Sequence, residues 1–269
     1  MSAARSAALP MYLSNPQAVQ ALWKLLANRL GQTGLADVPH NLDWPQDYLA
    51  HWSDPQLLLS QTCGYPLTHA LAGTVQLLGA FTYNAPGCEG VLCRSLLVAR
   101  DEHAKRRLAD FRGLRVAFNS DDSQSGYNAL RAAIAPLALG GKFFASAMAT
   151  GDHAASLAAV QQGRADLAAI DCVTFAGLAR DTPHAVAGVS VVGHSQPYPG
   201  LPLVTGLGTG PGEVLALRGA LAALVRDPAA ADALAPLGIT GFEPLPLARY
   251  QTCIDMRLQA LALGYPALA

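Results

Sequence analysis

Apolar residues return at helical intervals from Pro16 to Leu30, at Val19, Leu22, Trp23, Leu26 and Leu30, and the run stops at Gly31. A short strand over Leu9 to Leu13 is predicted ahead of this helix. The apolar run at residues 56–59 predicts a strand closed by Ser60 to Pro66, then a short helix over Thr68 to Gly73 and a strand over Val75 to Phe81. Further strands are predicted at Ser95 to Ala99, Arg115 to Phe118, Phe143 to Ala149, Leu167 to Ile170, Val189 to Val192 and Pro202 to Thr205. Helices are predicted at Tyr127 to Leu137, Ala154 to Gln162, Val173 to Arg180, Glu213 to Arg226 and the Ala-rich stretch 229–235. Strands and helices alternate from end to end, which predicts an α/β fold with mainly parallel pairing.

In open α/β sheets, ligands collect beyond the carboxyl ends of strands, where loops lead into helices. Four polar loops occupy that position. The stretch FNSDDSQSGYNALR, residues 118–131, leaves a strand at Asn119, passes Ser123, Gln124 and Ser125, and enters a helix at Gly126. Amides at a helix start carry partial positive charge, so hydroxyls beside them suit an oxyanion; Ser is equally a routine helix cap, and both readings stand. The loop TGDHAAS sets Asp152 and His153 at another helix entrance, as an anion donor or as a cap and a surface histidine. In AAIDCVTF, Asp171 follows four apolar residues, and a buried carboxylate must face a cleft or accept strong hydrogen bonds, helix capping included. SQTCGYP offers Gln61 and Thr62 to a ligand, or forms a plain turn.

Composition narrows the classes. With 269 residues, 51% apolar, the chain can bury one large core or two ordinary lobes. A formal net charge of -1 argues against a nucleic-acid partner. No window approaches a membrane span, and the opening MSAARSAALPMY lacks an apolar export-signal core, so a soluble chain is expected. The five cysteines, Cys63, Cys88, Cys93, Cys172 and Cys253, have neither CxxC spacing nor an even count. Cys88 and Cys93 are near enough in sequence to pair, but ordinary buried thiols are the expectation. His40, His51, His69, His103, His184 and His194 show no metal-ligand spacing, so neither a metal nor a cofactor is expected. Trp23 and Trp52 are assigned to the core, with Trp44 either there or at a cleft rim.

Taken in order, LPMY (9–12), LLLSQTCGYPL (57–67), FRGLRVAFNSDDSQSGYNALR (111–131), TGDHAASLAAVQQGRADLAAIDCVTF (150–175) and PGLPLVTG (199–206) resemble the substrate-binding proteins of phosphate/phosphonate-type ABC transporters. That resemblance covers nearly the whole chain. It implies the type-2 periplasmic binding protein fold, two α/β lobes joined by a two-strand hinge, with mixed, mainly parallel sheets and flanking helices. Lobe one would hold residues 1–92 and 194–269, and lobe two 93–193. The resemblance also implies a periplasmic protein that clamps a small anionic ligand in the interlobe cleft, changes shape on binding and delivers it to a permease; a monomer is expected.

The ligand positions it implies are Tyr12, Gln61 and Thr62 in the first lobe and Asn119, Ser123, Gln124, Ser125, Gly126, His153 and Asp171 in the second. Asp171 matches a position that meets a ligand amine in phosphonate binders. Many relatives read Ser-Thr-Ser before Gly-Tyr; here Gln124 replaces the middle hydroxyl, exchanging a short donor for a longer amide and leaving small carboxylates open as ligands. The unseen export signal leaves a cytoplasmic sensor as the alternative. An enzyme on the same scaffold, with Cys63 as nucleophile and His153 as base, is the second rival. A regulator domain would bring a helix-turn-helix, for which the sequence gives no sign.

Overall fold

The structure is a computed structural model, and it describes residues 5–12 and 15–269. Its first elements are β1 (Ser6–Ala8), α1 (Pro16–Gln32), α2 (Tyr48–Trp52), β2 (Leu57–Gln61), α3 (Gly64–Thr68), β3 (Val75–Tyr83), β4 (Leu92–Cys93), β5 (Ser95–Arg100) and β6 (Arg115–Phe118). There follow α4 (Ala129–Ile134), β7 (Ser146–Ala149), α5 (His153–Gln161), β8 (Leu167–Asp171), α6 (Cys172–Asp181), β9 (Val189–His194) and β10 (Tyr198–Pro199). The chain closes with β11 (Pro202–Gly206), α7 (Pro211–Leu224), α8 (Ala231–Leu234), β12 (Ile239–Glu243) and α9 (Gln251–Ala262). These elements form two compact units. Unit one takes the chain up to Asn84, Glu89–Val91 and Pro199–Arg249; unit two takes Ala85–Cys88, Leu92–Tyr198 and Tyr250–Ala269. The short strands β4 and β10 pair with each other next to two of these chain crossings.

Unit one is built on the sheet β1-β2-β11-β3-β12, in which β1 and β2 are parallel and the other neighbours antiparallel. Helix α1 follows from its sequence: Asn15 accepts from the Ala18 amide at 3.0 Å, and Pro16 fills the first position, where a missing N–H costs nothing. One face of α1 is buried through Leu22, Trp23, Leu26 and Leu30, and each such side chain stabilises by about 1.5–3 kcal/mol on burial. The Trp23 indole N–H finds the Pro39 carbonyl at 3.1 Å.

Unit two is built on the sheet β7-β6-β8-β5-β9. Strands β7, β6 and β8 are parallel, so the residues just beyond Phe118, Ala149 and Asp171 share one edge. Strand β5 runs antiparallel to β8 and starts at that edge, with Ser95 opposite Asp171. The core gathers Phe111, Leu130, Ile134, Phe144 and Leu167 with Ala260, Tyr265 and Leu268 from the chain's end.

Several expectations shift. The first strand is Ser6–Ala8, ahead of the expected Leu9 to Leu13, whose last residue lies outside the described ones. The short helix expected over Thr68 to Gly73 starts earlier, at Gly64, because Cys63 stands as its N-cap and Pro66 is tolerated in a first turn. Phe143 and Phe144 sit in the core ahead of β7 instead of extending it. Pairing is more antiparallel than expected: the parallel ladders are β1–β2 and β7–β6–β8, while β11, β12, β5 and β9 enter antiparallel. The expected division gave residues 194–269 to the first lobe, whereas Tyr250–Ala269 belongs to unit two. Cys253, Met256 and Ala260 form the buried stripe of α9, and α9 packs on α4.

Candidate anion-binding site

At the shared carboxyl edge of unit two, the turn after β6 leads into a 14-residue helical stretch that opens as a π turn, continues as α4 and closes as a short 3-10 turn at Leu137. The π opening is visible in its i→i+5 bond, from the Asn128 amide to the Ser123 carbonyl at 3.0 Å. Such a turn leaves its first amides without acceptors inside the helix, which concentrates donor character at the start. Ser123 is the cap, its Oγ accepting from the Gly126 amide at 3.0 Å. That bond occupies a lone pair and leaves the hydroxyl proton to donate elsewhere, so capping and anion binding are compatible.

Ser125 is the junction of the site. Its Oγ lies 2.9 Å from His153 Nε2 and 3.5 Å from Ser123 Oγ, and its carbonyl accepts from Ser95 Oγ at 2.8 Å. Ser95 Oγ is in turn 2.8 Å from the Tyr198 hydroxyl. Serines 95, 123 and 125 are all buried. The partners here are hydroxyls, an imidazole and backbone dipoles, an arrangement that receives negative charge without a formal cation.

Gly126 admits the close turn of the loop on itself. A Cβ added there would lie 1.9 Å from Asn119 Oδ1, far inside contact distance. Asn119 and Thr150 tie the two loops together: the Gly151 amide donates to the Asn119 carbonyl at 2.9 Å, and the Thr150 amide to Phe118 at 2.9 Å.

His153 is the first residue of α5, behind the N-cap Asp152, whose carboxylate accepts from the Ala155 amide at 2.7 Å. The capping role expected of Asp152 is therefore present. Burial pulls the His153 imidazole down from 6.5 to about 4, against the opposing pull of Asp152 and the Ala169 backbone, so the ring is neutral near pH 7. Asp171 is buried, and its Oδ1 accepts from both the Val173 and Thr174 amides at 2.9 Å, capping α6. Gln124 turns its amide into unit two: Oε1 accepts from Asn128 Nδ2 at 2.9 Å, and Nε2 donates to Met256 Sδ at 3.2 Å. The longer side chain at this position fastens the helix opening to α9.

The first-lobe candidates lie in unit one. Gln61 ends β2 and donates from Nε2 to the Tyr83 hydroxyl at 3.2 Å, while the Tyr12 ring meets Tyr83 edge-on at 5.3 Å. Thr62 is fully buried, its amide donates to Pro202 O at 2.9 Å, and its Oγ1 has no hydrogen-bond partner among the described residues. Tyr12, Gln61 and Tyr83 border a cavity of about 20 Å³. That is room for about one water. Cys63 is half-buried in unit one, Trp44 is exposed, and Trp23 and Trp52 are buried in the core, as expected.

The structure brings the serine-rich loop, Asn119, His153 and Asp171 to one edge of unit two, and adds to their hydrogen-bond chain Ser95 and Tyr198, which sequence reasoning did not single out. Neither carries a local signal. Ser95 reaches the edge only through its ladder partner Asp171, more than seventy residues along the chain.

The whole chain resembles solved binding proteins in fold. The phosphonate-binding protein PhnD1 from Prochlorococcus marinus, solved with methylphosphonate, superposes with a TM-score of 0.76 at 15% identity, covering 95% of this chain and 97% of that one. A binding-protein component of an ABC phosphonate transporter, PA3383 from Pseudomonas aeruginosa, gives 0.73 at 16% identity, covering 96% and 88%. The protein XAC2383 from Xanthomonas citri, solved with ATP, gives 0.74 at 16% identity, covering 97% and 98%. These likenesses show the two-lobed, type-2 periplasmic binding protein fold. Comparison with curated proteins finds none that matches. No helix among the described residues is long and apolar enough to cross a membrane. The description of the periplasmic phosphonate substrate-binding proteins of ABC transporters matches residues 13–250, and the chain belongs to that family.

Proposed function

We propose that this protein captures a small oxyanion of the phosphonate type at the Ser123–Gly126 helix opening and presents it to an ABC permease in the periplasm. The observation that carries this reading is the junction at Ser125, where two serine hydroxyls, an imidazole and the start of a π-opened helix converge. Anionic oxygens would accept from the hydroxyls and from amides at the helix start, at the charge-assisted strength of roughly 1.5–3 kcal/mol per bond. PhnD1, of the same fold, was solved with methylphosphonate, a ligand of the same chemical class.

His153 sets the proton inventory of the site. With Nε2 as acceptor it receives a hydrogen bond from the Ser125 hydroxyl, and as an Nε2–H donor it leaves the Ser125 hydroxyl free to donate to the ligand; an arriving anion favours the second arrangement. Asn119 and Gly126 shape the loop, and Asp171 is assigned to a ligand amine where one is present. Within unit one, the family resemblance assigns Tyr12, Gln61 and Thr62 to ligand contact. Gln124 contributes through its backbone, since its amide is engaged with Asn128 and Met256. On this reading the protein works as a monomer, performs no covalent chemistry and needs no cofactor.

Titration calorimetry with methylphosphonate, an aminoalkylphosphonate, phosphite, phosphate and small dicarboxylates tests the reading. A phosphonate is expected to bind best, with Ser125→Ala weakening it about 10–100-fold, as loss of one charged hydrogen bond does. Binding of dicarboxylates alone would overturn the ligand class.

A further inference from the structure

Three of the five cysteines converge in unit two, away from any role in the proposal above. Cys88 Sγ lies 3.6 Å from Cys93 Sγ and 3.5 Å from Cys172 Sγ, and the three sulfurs all fall within 4.8 Å of one another. They come from three separate places: the turn after β3, the strand β4, and the first position of α6. Gly87 makes the convergence possible. Its φ is +101°, and a Cβ there would meet Cys172 Cβ at 3.0 Å and Sγ at 3.5 Å, so the Cys88 turn lies directly against Cys172.

The spacing has a chemical meaning. Three thiolates around one ion at the usual metal–sulfur distance of about 2.3 Å stand about 3.8–4.0 Å apart, by the geometry of a tetrahedral face or a plane triangle. The observed separations fall only slightly short of that. A disulfide needs about 2.05 Å, and the thiols are free. Cys93 and Cys172 are buried and Cys88 is half-buried, which supplies a protected floor and one point of access. Asp171, the residue before Cys172, is a buried carboxylate beside the cluster.

We propose that Cys88, Cys93 and Cys172 form a binding site for a thiophilic d10 cation, of the Cu(I) or Zn(II) class. Soft thiolate donors select such ions. Three sulfurs complete a trigonal Cu(I) site, whereas Zn(II) would add a solvent oxygen as fourth ligand. No electron is transferred: the ion replaces the thiol protons, up to three of which leave to solvent as three metal–sulfur bonds form.

The test is anaerobic titration of the fully reduced protein with Cu(I) and, separately, with Zn(II), each against a competing chelator, followed by X-ray absorption of the loaded protein. The expected result is one equivalent of at least one ion, three sulfur ligands in its first shell, and at least a 100-fold loss of affinity in C88S, C93S and C172S. C63S should bind like the parent. Whichever ion binds tighter identifies the source. Failure of both ions to bind stoichiometrically, fewer than three sulfur ligands, loss of binding in C63S, or a Cys88 disulfide in freshly isolated protein would each overturn the site. The sulfur count needs no variant, so it decides even where a serine substitution unfolds the chain.

Discussion

Gly126 leaves no room for a side chain beside Asn119, and the coupling of the two residues is measurable. In Gly126→Ala the new Cβ falls 1.9 Å from Asn119 Oδ1, so the Asn119 side chain must move, at a cost of about 1–3 kcal/mol typical of overpacking. A lowered melting temperature in Gly126→Ala, with part of it restored in the Gly126→Ala/Asn119→Ala double variant, is the expected outcome. Additive losses would show that the clash is relieved elsewhere. His153 gives a second residue-scale prediction. Its folded-state value of about 4 lies below the ordinary 6.5, so between those values the unfolded chain binds more protons than the folded one. Its contribution is therefore complete above pH 6.5 and lost as pH falls toward 4, by at most about 3 kcal/mol and less where solvent reaches the ring. Denaturant melts across this window should show a shallower decline in His153→Gln than in the parent. The serines at 123 and 125 were legible as residues because small polar groups after an apolar run announce a strand-to-helix turn. Ser95 was not, since nothing near it in sequence reports the strand that it pairs with.

At the scale of elements, side chains with two candidate roles are separable by what each variant disturbs. Asp171 caps α6 through two amides at 2.9 Å, so Asp171→Ala should cost about 0.5–2 kcal/mol of stability, measured by chemical denaturation, even without ligand. If Asp171 also meets a ligand amine, the variant loses affinity for an aminoalkylphosphonate but not for methylphosphonate; equal loss for both leaves capping alone. Gln124→Ser restores a hydroxyl at the helix opening but removes the bonds to Asn128 and Met256, and is expected to destabilise by about 1–2 kcal/mol. Because the amide faces α9, affinity for methylphosphonate should stay within about threefold, the range set by a lost contact outside the ligand shell. The sequence-level reading of Gln124 as a ligand donor followed from its position in the motif. Its engagement with Met256 depends on a helix that the pattern did not reveal, because the buried Cys253, Met256 and Ala260 alternate with exposed apolar residues such as Leu258 and Leu261, which blurs the helical period. β12 was invisible for a related reason: Gly241 interrupts its short alternation.

For the whole molecule, alternation of strands and helices was enough to read an α/β chain, since the hydrophobic period changes from two to 3.6 at each boundary. Strand direction was not, because whether a strand runs parallel or antiparallel is decided by non-local pairing and not by its own composition. The family resemblance supplied the two-lobed architecture, but not the return of the chain to unit two after Arg249. That return has an energetic consequence. Ala260, Tyr265 and Leu268 belong to the core of unit two, and removing residues 251–269 should expose that core and abolish its cooperative melting transition. Calorimetric scanning of the truncated chain checks this.

Most directly, the account is tested by isothermal titration of methylphosphonate into the parent, Ser123→Ala and Ser125→Ala proteins at pH 7. It predicts one binding site in the parent and a 10–100-fold loss in each variant. Full affinity retained in both variants would contradict it.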